Sequence, residues 1–165
     1  MQDIEKLIEA MAAELQLLFA ERHITNPALI GIHTGGVWIA DRLHQLLGIR
    51  APLGSLDISF YRDDFSRIGM HPRVRPSELP FDVDRRDIIL VDDVLYTGRT
   101  IRAALDEIFD YGRPDSVLLA TLVDRGGREL PIAADVVGTC LNLGPTENVK
   151  LSGPMPLRLV IQKHS

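Results

Sequence analysis

Apolar residues recur at helical spacing from the start of the chain. Ile4, Leu7, Ile8, Met11, Leu15, Leu18 and Phe19 predict an amphipathic helix over residues 3–22, with Asp3 as its N-cap. Leu29-Ile30-Gly31-Ile32 is a short apolar run before a glycine-bearing turn, which predicts a buried strand. Helical spacing returns with Val37, Ile39, Ala40, Leu43 and Leu47, giving a second helix over 37–47. Residues 53–61 alternate as a strand does. The pattern then lapses, because 62–86 is polar, rich in Arg and Asp, and carries Pro72, Pro76 and Pro80. So long a stretch without its own pattern predicts a functional, mobile loop.

A second half repeats the alternation. Residues 87–91 predict a buried strand, and a helix over 98–111 closes at Tyr111-Gly112 with Pro114 beyond. Val117–Val123 is another apolar strand, ending in Asp124-Arg125-Gly126-Gly127-Arg128, and Val136-Val137 and Leu157–Ile161 are short late strands. Strands alternating with helices predict an open, mostly parallel, doubly wound α/β sheet. Loops 33–36, 92–100 and 124–128 each carry Gly, Asp or Thr after a strand. In such a sheet these ends share one edge, so the three loops are expected to converge.

The length of 165 residues predicts one domain over 1–165, and 45% hydrophobic with 25% charged residues fits an ordinary globular chain. No apolar stretch approaches a membrane span. The acids Asp3, Glu5 and Glu9 inside the first apolar pattern argue against a signal or transit peptide. Cys140 is the only cysteine, which excludes an intramolecular disulfide and a Cys-based metal site, so a cytoplasmic location is the default expectation. A net charge of −5 argues against non-specific nucleic-acid binding. Arg67, Arg73 and Arg75 with His71, and Arg85-Arg86, leave a local basic patch open, although such arginines are usually solvated loop charges.

The candidate chemistry lies in Ile88–Thr100: an apolar strand, the acids Asp92 and Asp93, two apolar residues, Tyr96, the turn Thr97-Gly98-Arg99-Thr100, then a helix. Carboxylates suit sugar hydroxyls or a hydrated cation. Backbone N–H groups at a helix start suit a phosphate, and Gly98 lets the backbone come close. Together they describe a site for a phosphorylated sugar. Solvated loop acids beside a plain helix start are the blander reading, and the ordered strand, acid pair, turn and helix outweigh it.

These thirteen residues resemble the phosphoribosyl-pyrophosphate (PRPP) motif of type I phosphoribosyltransferases. Leu56–Asp64, Gly112-Arg113-Pro114, and Leu122–Gly126 with Arg128–Pro131 narrow the resemblance to the PyrR family, over roughly residues 25–150. The resemblance implies a type I phosphoribosyltransferase fold with a lid loop that includes Tyr61 and Arg62. The implied reaction is uracil phosphoribosyl transfer (uracil and PRPP giving UMP and pyrophosphate) with Mg²⁺, and the implied regulatory role is at pyrimidine-operon mRNA. Asp92 and Asp93 would be the catalytic acids and hold the metal through water. Thr97, Gly98, Arg99 and Thr100 would take the 5′-phosphate, and His33, Thr34, Gly35 and Gly36 the pyrophosphate. Val123, Asp124 and Arg125 would sit at the base. PRPP, uracil, UMP or UTP, mRNA and a second copy of the chain are the implied partners.

Two places depart from the family pattern, the 33–36 loop and the 124–128 loop. Relatives carry a basic residue, Thr, Arg and Gly in the first loop where this chain has His33-Thr34-Gly35-Gly36, and a His often stands at the position of Gly127. Without a fixed cation beside the leaving pyrophosphate, slow turnover is expected, at a cost of about 3–4 kcal/mol in the transition state. The alternatives are a non-catalytic, nucleotide-sensing RNA-binding regulator and a phosphoribosyltransferase for another base. His23, His44 and His164 have no partner at metal-ligand spacing, and Trp38 and Phe60 read as core or subunit-contact residues.

Overall fold

The computed structural model describes residues 3–58 and 77–164. Helix α1 (Ile4–Glu21) begins where expected, because Asp3 Oδ1 accepts the N–H groups of Glu5 at 3.1 Å and Lys6 at 3.4 Å. Strand β1 (Ala28–Ile32) is buried along its whole length and leads into α2 (Gly35–Leu47). That helix starts two residues earlier than the spacing predicts, since Gly35 and Gly36 are buried in its first turn without a side chain to enter the pattern. Strands β2 (Gly54–Leu56) and β3 (Asp87–Leu95), helix α3 (Arg99–Tyr111), and strands β4 (Ser116–Asp124) and β5 (Val136–Cys140) follow. Strands β6 (Glu147–Ser152) and β7 (Arg158–Lys163) close the chain.

Five strands form a sheet in the order β2-β1-β3-β4-β5, with every pairing parallel. The expected doubly wound α/β fold is therefore present. Alternation along β3 divides its side chains between two faces. Ile89 and Val91 pack with Ile8, Met11 and Leu15 of α1 and with Ile39 and Leu43 of α2. Ile88 and Leu90 pack instead with Ile101, Ala104 and Ile108 of α3. Strand order reverses between β1 and β3, which opens a crevice at their carboxyl ends.

Three elements differ from the sequence expectation. The 53–61 strand shrinks to β2, because its one strand neighbour, β1, ends at the Ile32–Leu56 pair; positions 59–61 lie outside the described residues. Of the expected loop, 62–76 also lies outside them, and the rest makes one isolated bridge between Glu78 and Ser55. Strand β3 runs four residues beyond 91. Pairing with β4 continues through Asp92–Thr121, Val94–Val123 and Leu95–Asp124, whereas pairing with β1 stops at Gly31–Val91. Past Val91 one flank of β3 is thus open. The third difference is β6, which the pattern did not announce. It forms an antiparallel hairpin with β7, in which Val149 and Leu151 join the core beside α1 while Leu157 anchors the connection.

Candidate functional site

Beside the open flank of β3 lies a crevice of about 790 Å³. His33, Thr34 and Gly35 line it from the β1–α2 turn, Asp93, Tyr96 and Thr100 from β3 and the turn after it, and Arg125 from the loop after β4. A smaller hollow of about 110 Å³ adjoins it, lined by Asp92, Thr97, Gly98 and Thr100 among others. The three loops expected to converge do so.

The starts of α2 and α3 both face this region. Thr34 and Gly98 stand at their N-cap positions, and neither supplies a side-chain cap, in contrast with Asp3 on α1. Among the described residues, the first-turn bond at α3 runs from the Arg99 N–H to Thr97 Oγ1 at 3.2 Å. First-turn amides without internal acceptors favour an anion. Gly98 has φ 96°, a conformation other residues reach only with strain.

The two acids are not equivalent. Asp92 is 5% exposed, and its Oδ1 accepts the Asp93 N–H at 2.8 Å. Asp93 is half-buried, faces the larger crevice and accepts the Val94 N–H at 2.8 Å. Gly35 packs directly against Asp93: a Cβ there would lie 2.8 Å from Asp93 Cγ. Any side chain at 35 would displace the acid, so an arginine at this position is incompatible with the arrangement around Asp93. Gly36 does not line the crevice. It lets α2 approach β3, where a Cβ would meet the Val91 carbonyl oxygen at 2.6 Å.

The loop after β4 differs from the expectation for the base. Val123 is fully buried in the core, and its side chain faces away from the crevice lining. Asp124 accepts Arg128 Nη2 at 2.6 Å and the Gly126 N–H at 2.9 Å, a closure of the loop on itself. Burial pushes the Asp124 carboxyl up, but the bonds from Arg128 and Gly126 outweigh it and hold it below the usual carboxylate range. Arg125 alone of the three lines the crevice, its guanidinium 3.9 Å from the centre of the Tyr96 ring. Gly127 rests on the same ring, where a Cβ would come 2.5 Å from a ring carbon, so a larger residue there would move Tyr96.

Arg99 is turned away from the smaller hollow, with its Nε 2.8 Å from Glu129 Oε1. Its contribution at the α3 start is through the backbone. Tyr61 and Arg62 lie outside the described residues. His44 is structural, its Nε2 2.7 Å from the Ala51 carbonyl oxygen. Trp38, read from sequence as core or contact, lies half-buried on the crevice wall. Sequence reasoning missed Asp57 and the hairpin residues Asn148, Lys150 and Gln162, which also line it. Alternation of Val149 and Leu151 with polar neighbours was the available signal.

A sheet switch point with two helix starts and an acid pair defines the class of the protein: the phosphoribosyl transferase domain family matches residues 1–154. Solved structures of the same fold include hypoxanthine phosphoribosyltransferases from Staphylococcus aureus and Trypanosoma cruzi. The first has a TM-score of 0.62 at 19% identity, covering 83% of this chain and 74% of its own. The second has a TM-score of 0.66 at 22% identity, covering 84% and 73%. Nearer in sequence are proteins named bifunctional protein PyrR. That of Nitrosococcus oceani is 62% identical over 97% of this chain and 92% of its own, and that of Pseudomonas aeruginosa 58% identical over 93% and 91%. The chain belongs to the PyrR family.

Proposed function

We propose that this protein transfers the phosphoribosyl group of Mg²⁺-PRPP to uracil, releasing UMP and pyrophosphate, and that it also binds pyrimidine-operon mRNA in response to uridine nucleotides. The reading carries with it a single domain over 1–165, a cytoplasmic setting and a homo-oligomer. The observation that carries the chemistry is the meeting of two helix starts lacking N-cap side-chain caps with Asp92 and Asp93 around one crevice. The family membership carries the choice of uracil and mRNA.

In this reading the α3 start and the Thr97–Thr100 turn hold the 5′-phosphate, and the α2 start faces the pyrophosphate. The bond from the anomeric carbon to the pyrophosphate oxygen breaks with its electron pair on pyrophosphate. Uracil N1 forms the new bond and its proton leaves to solvent. Asp92 and Asp93 orient the ribose hydroxyls and offset positive charge developing on the ring carbon. Among the described residues no group of three or more His, Cys, Asp or Glu forms a metal cage. That fits Mg²⁺, which keeps waters and relies on one or two carboxylates plus substrate phosphates; Asp93, facing the crevice, is the side chain to hold its water shell. When bound, Mg²⁺ neutralises charge on the departing pyrophosphate.

The test is nucleotide formation from Mg²⁺-PRPP with uracil, cytosine, hypoxanthine and guanine in parallel, read by chromatography. UMP is the expected product, and Asp93→Asn should lower its rate by about 10²-fold or more. A nucleotide of another base in its place, or an undiminished rate in the variant, would overturn the assignment. A sensor without turnover is the second reading, favoured by the absence of Lys or Arg in His33-Thr34-Gly35-Gly36. It predicts UMP binding with no product.

A further inference from the structure

The first loop brings no permanently charged side chain to the pyrophosphate side of the crevice, yet two cations line it from elsewhere, Arg125 after β4 and Lys150 on β6. Strand register puts Asn148 opposite Gln162 and Lys150 opposite Val160, while Val149 and Leu151, the alternate positions of β6, are buried in the core. The hairpin therefore has an apolar face seated on the core and an outward face. Asn148, Lys150 and Gln162 share the outward face with Val160, and all three line the crevice that His33, Thr34 and Gly35 line, alongside Val149 and Leu151. Trp38 of α2 joins the two walls: a Cβ on Gly153, in the hairpin connection, would touch its ring at 3.1 Å.

Two of the other cations near the crevice are held in ion pairs, and the third, Arg125, lines it from the loop after β4. Arg128 is tied to Asp124, Arg99 to Glu129, and Arg125 lies over the Tyr96 ring. Lys150 is exposed and, among the described residues, makes no ion pair. An ammonium on a long flexible stem can follow a polyphosphate as a mobile point charge, which a fixed loop cannot do.

We propose that Lys150 binds the diphosphate of PRPP and stabilises it as it departs, supplying from the hairpin the cation that the 33–36 loop lacks. The inference rests on the phosphoribosyl-transfer reading. It replaces the expectation of slow turnover, which assumed that the charge had to come from the first loop. Asn148 and Gln162 flank the ammonium on the same face as neutral hydrogen-bonding groups.

The test separates ligands that carry a diphosphate from one that does not. Trp38 is the chain's only tryptophan and lines the crevice, so its fluorescence reports occupancy. Parent, Lys150→Met and Lys150→Arg are titrated with Mg²⁺-PRPP, Mg²⁺-pyrophosphate and UMP, with calorimetry as an independent readout. Lys150→Met should weaken PRPP and pyrophosphate by about tenfold or more, the loss of one charge-assisted contact, and leave UMP within about twofold. Lys150→Arg should restore most of the loss. Unchanged PRPP and pyrophosphate affinity in Lys150→Met, or an equal loss for UMP, would overturn the role of Lys150 alone. A parent that binds neither PRPP nor UMP would instead sink the phosphoribosyl-transfer reading beneath it.

Discussion

Asp124 shows how a residue beside a ligand site can serve the loop rather than the ligand. Its carboxylate closes Asp124-Arg125-Gly126-Gly127-Arg128 on itself through Arg128 and the Gly126 N–H, and in doing so presents Arg125 to the crevice. Because these bonds hold its folded pKa below the unfolded value near 3.9, the carboxylate contributes stability above that value. The contribution is lost as pH falls through the lowered folded pKa. Asp124→Asn should therefore cost about 1 kcal/mol at pH 7, and the gap from the parent should close in acid. Urea midpoints measured from pH 7 down to pH 3 check this; a gap that widens in acid would contradict it. Val123, one residue earlier, illustrates the opposite error. The family resemblance made it a base-site candidate, but alternation turns its side chain into the core.

Among elements, α3 depends most on one backbone conformation. Gly98, φ 96°, makes the turn from β3 into the helix and leaves its first amides without a cap from the N-cap residue. Gly98→Ala should lower stability by about 1–2 kcal/mol from the left-handed conformation alone. Its Cβ would also press on Ile132 at 3.0 Å. If thermal unfolding of the variant matched that of the parent, the turn would not be the constraint described. The elements legible from sequence were those with strong periodicity: α1, β1, the body of α2, α3 and β4. Their loops, and hence most of the crevice floor, were legible with them. The continuation of β3 through Asp92-Asp93 was not, because acids interrupt an apolar run while strand pairing ignores them. Leu157–Ile161 was legible as a late strand, but its hairpin partner β6 was missed for a related reason. Val149 and Leu151 make too short an alternation to stand out, and the partner that fixes their register lies in Arg158–Lys163. The crevice residues it carries, Asn148 to Leu151, went unseen with it.

For the whole molecule, the crevice draws on α2, β3, the start of α3, the loop after β4 and the hairpin, so ligand binding is coupled to the global fold. Mg²⁺-PRPP at 100 times its dissociation constant should add about 2.7 kcal/mol of stability, which for a chain of this size raises Tm by about 5–10 °C. The same addition to Asp93→Asn should give little shift, since that side chain faces the crevice rather than the core. Calorimetric scans of both proteins decide the matter, and equal shifts would move the binding site elsewhere. At −5 net charge, the proposed mRNA binding would have to come from local arginines, so few phosphates would be engaged and its salt dependence should be shallow.

The hairpin roof carries a thermodynamic consequence of its own. Among the described residues strands β6 and β7 pair only with each other, and a two-stranded unit is marginal unless something holds it down. Here the hold is one apolar face in the core, the contact of Gly153 with Trp38, and the bond that Arg42 Nη2 donates to the Pro154 carbonyl oxygen at 2.6 Å. The floor of the crevice, by contrast, is the middle of a five-stranded sheet. A ligand that touches both walls meets a rigid half and a half whose closed population is below unity. Its apparent dissociation constant is then the intrinsic one divided by that population. Changes under the roof, far from any ligand atom, would tune affinity for every ligand by the same factor and leave the preference among them intact.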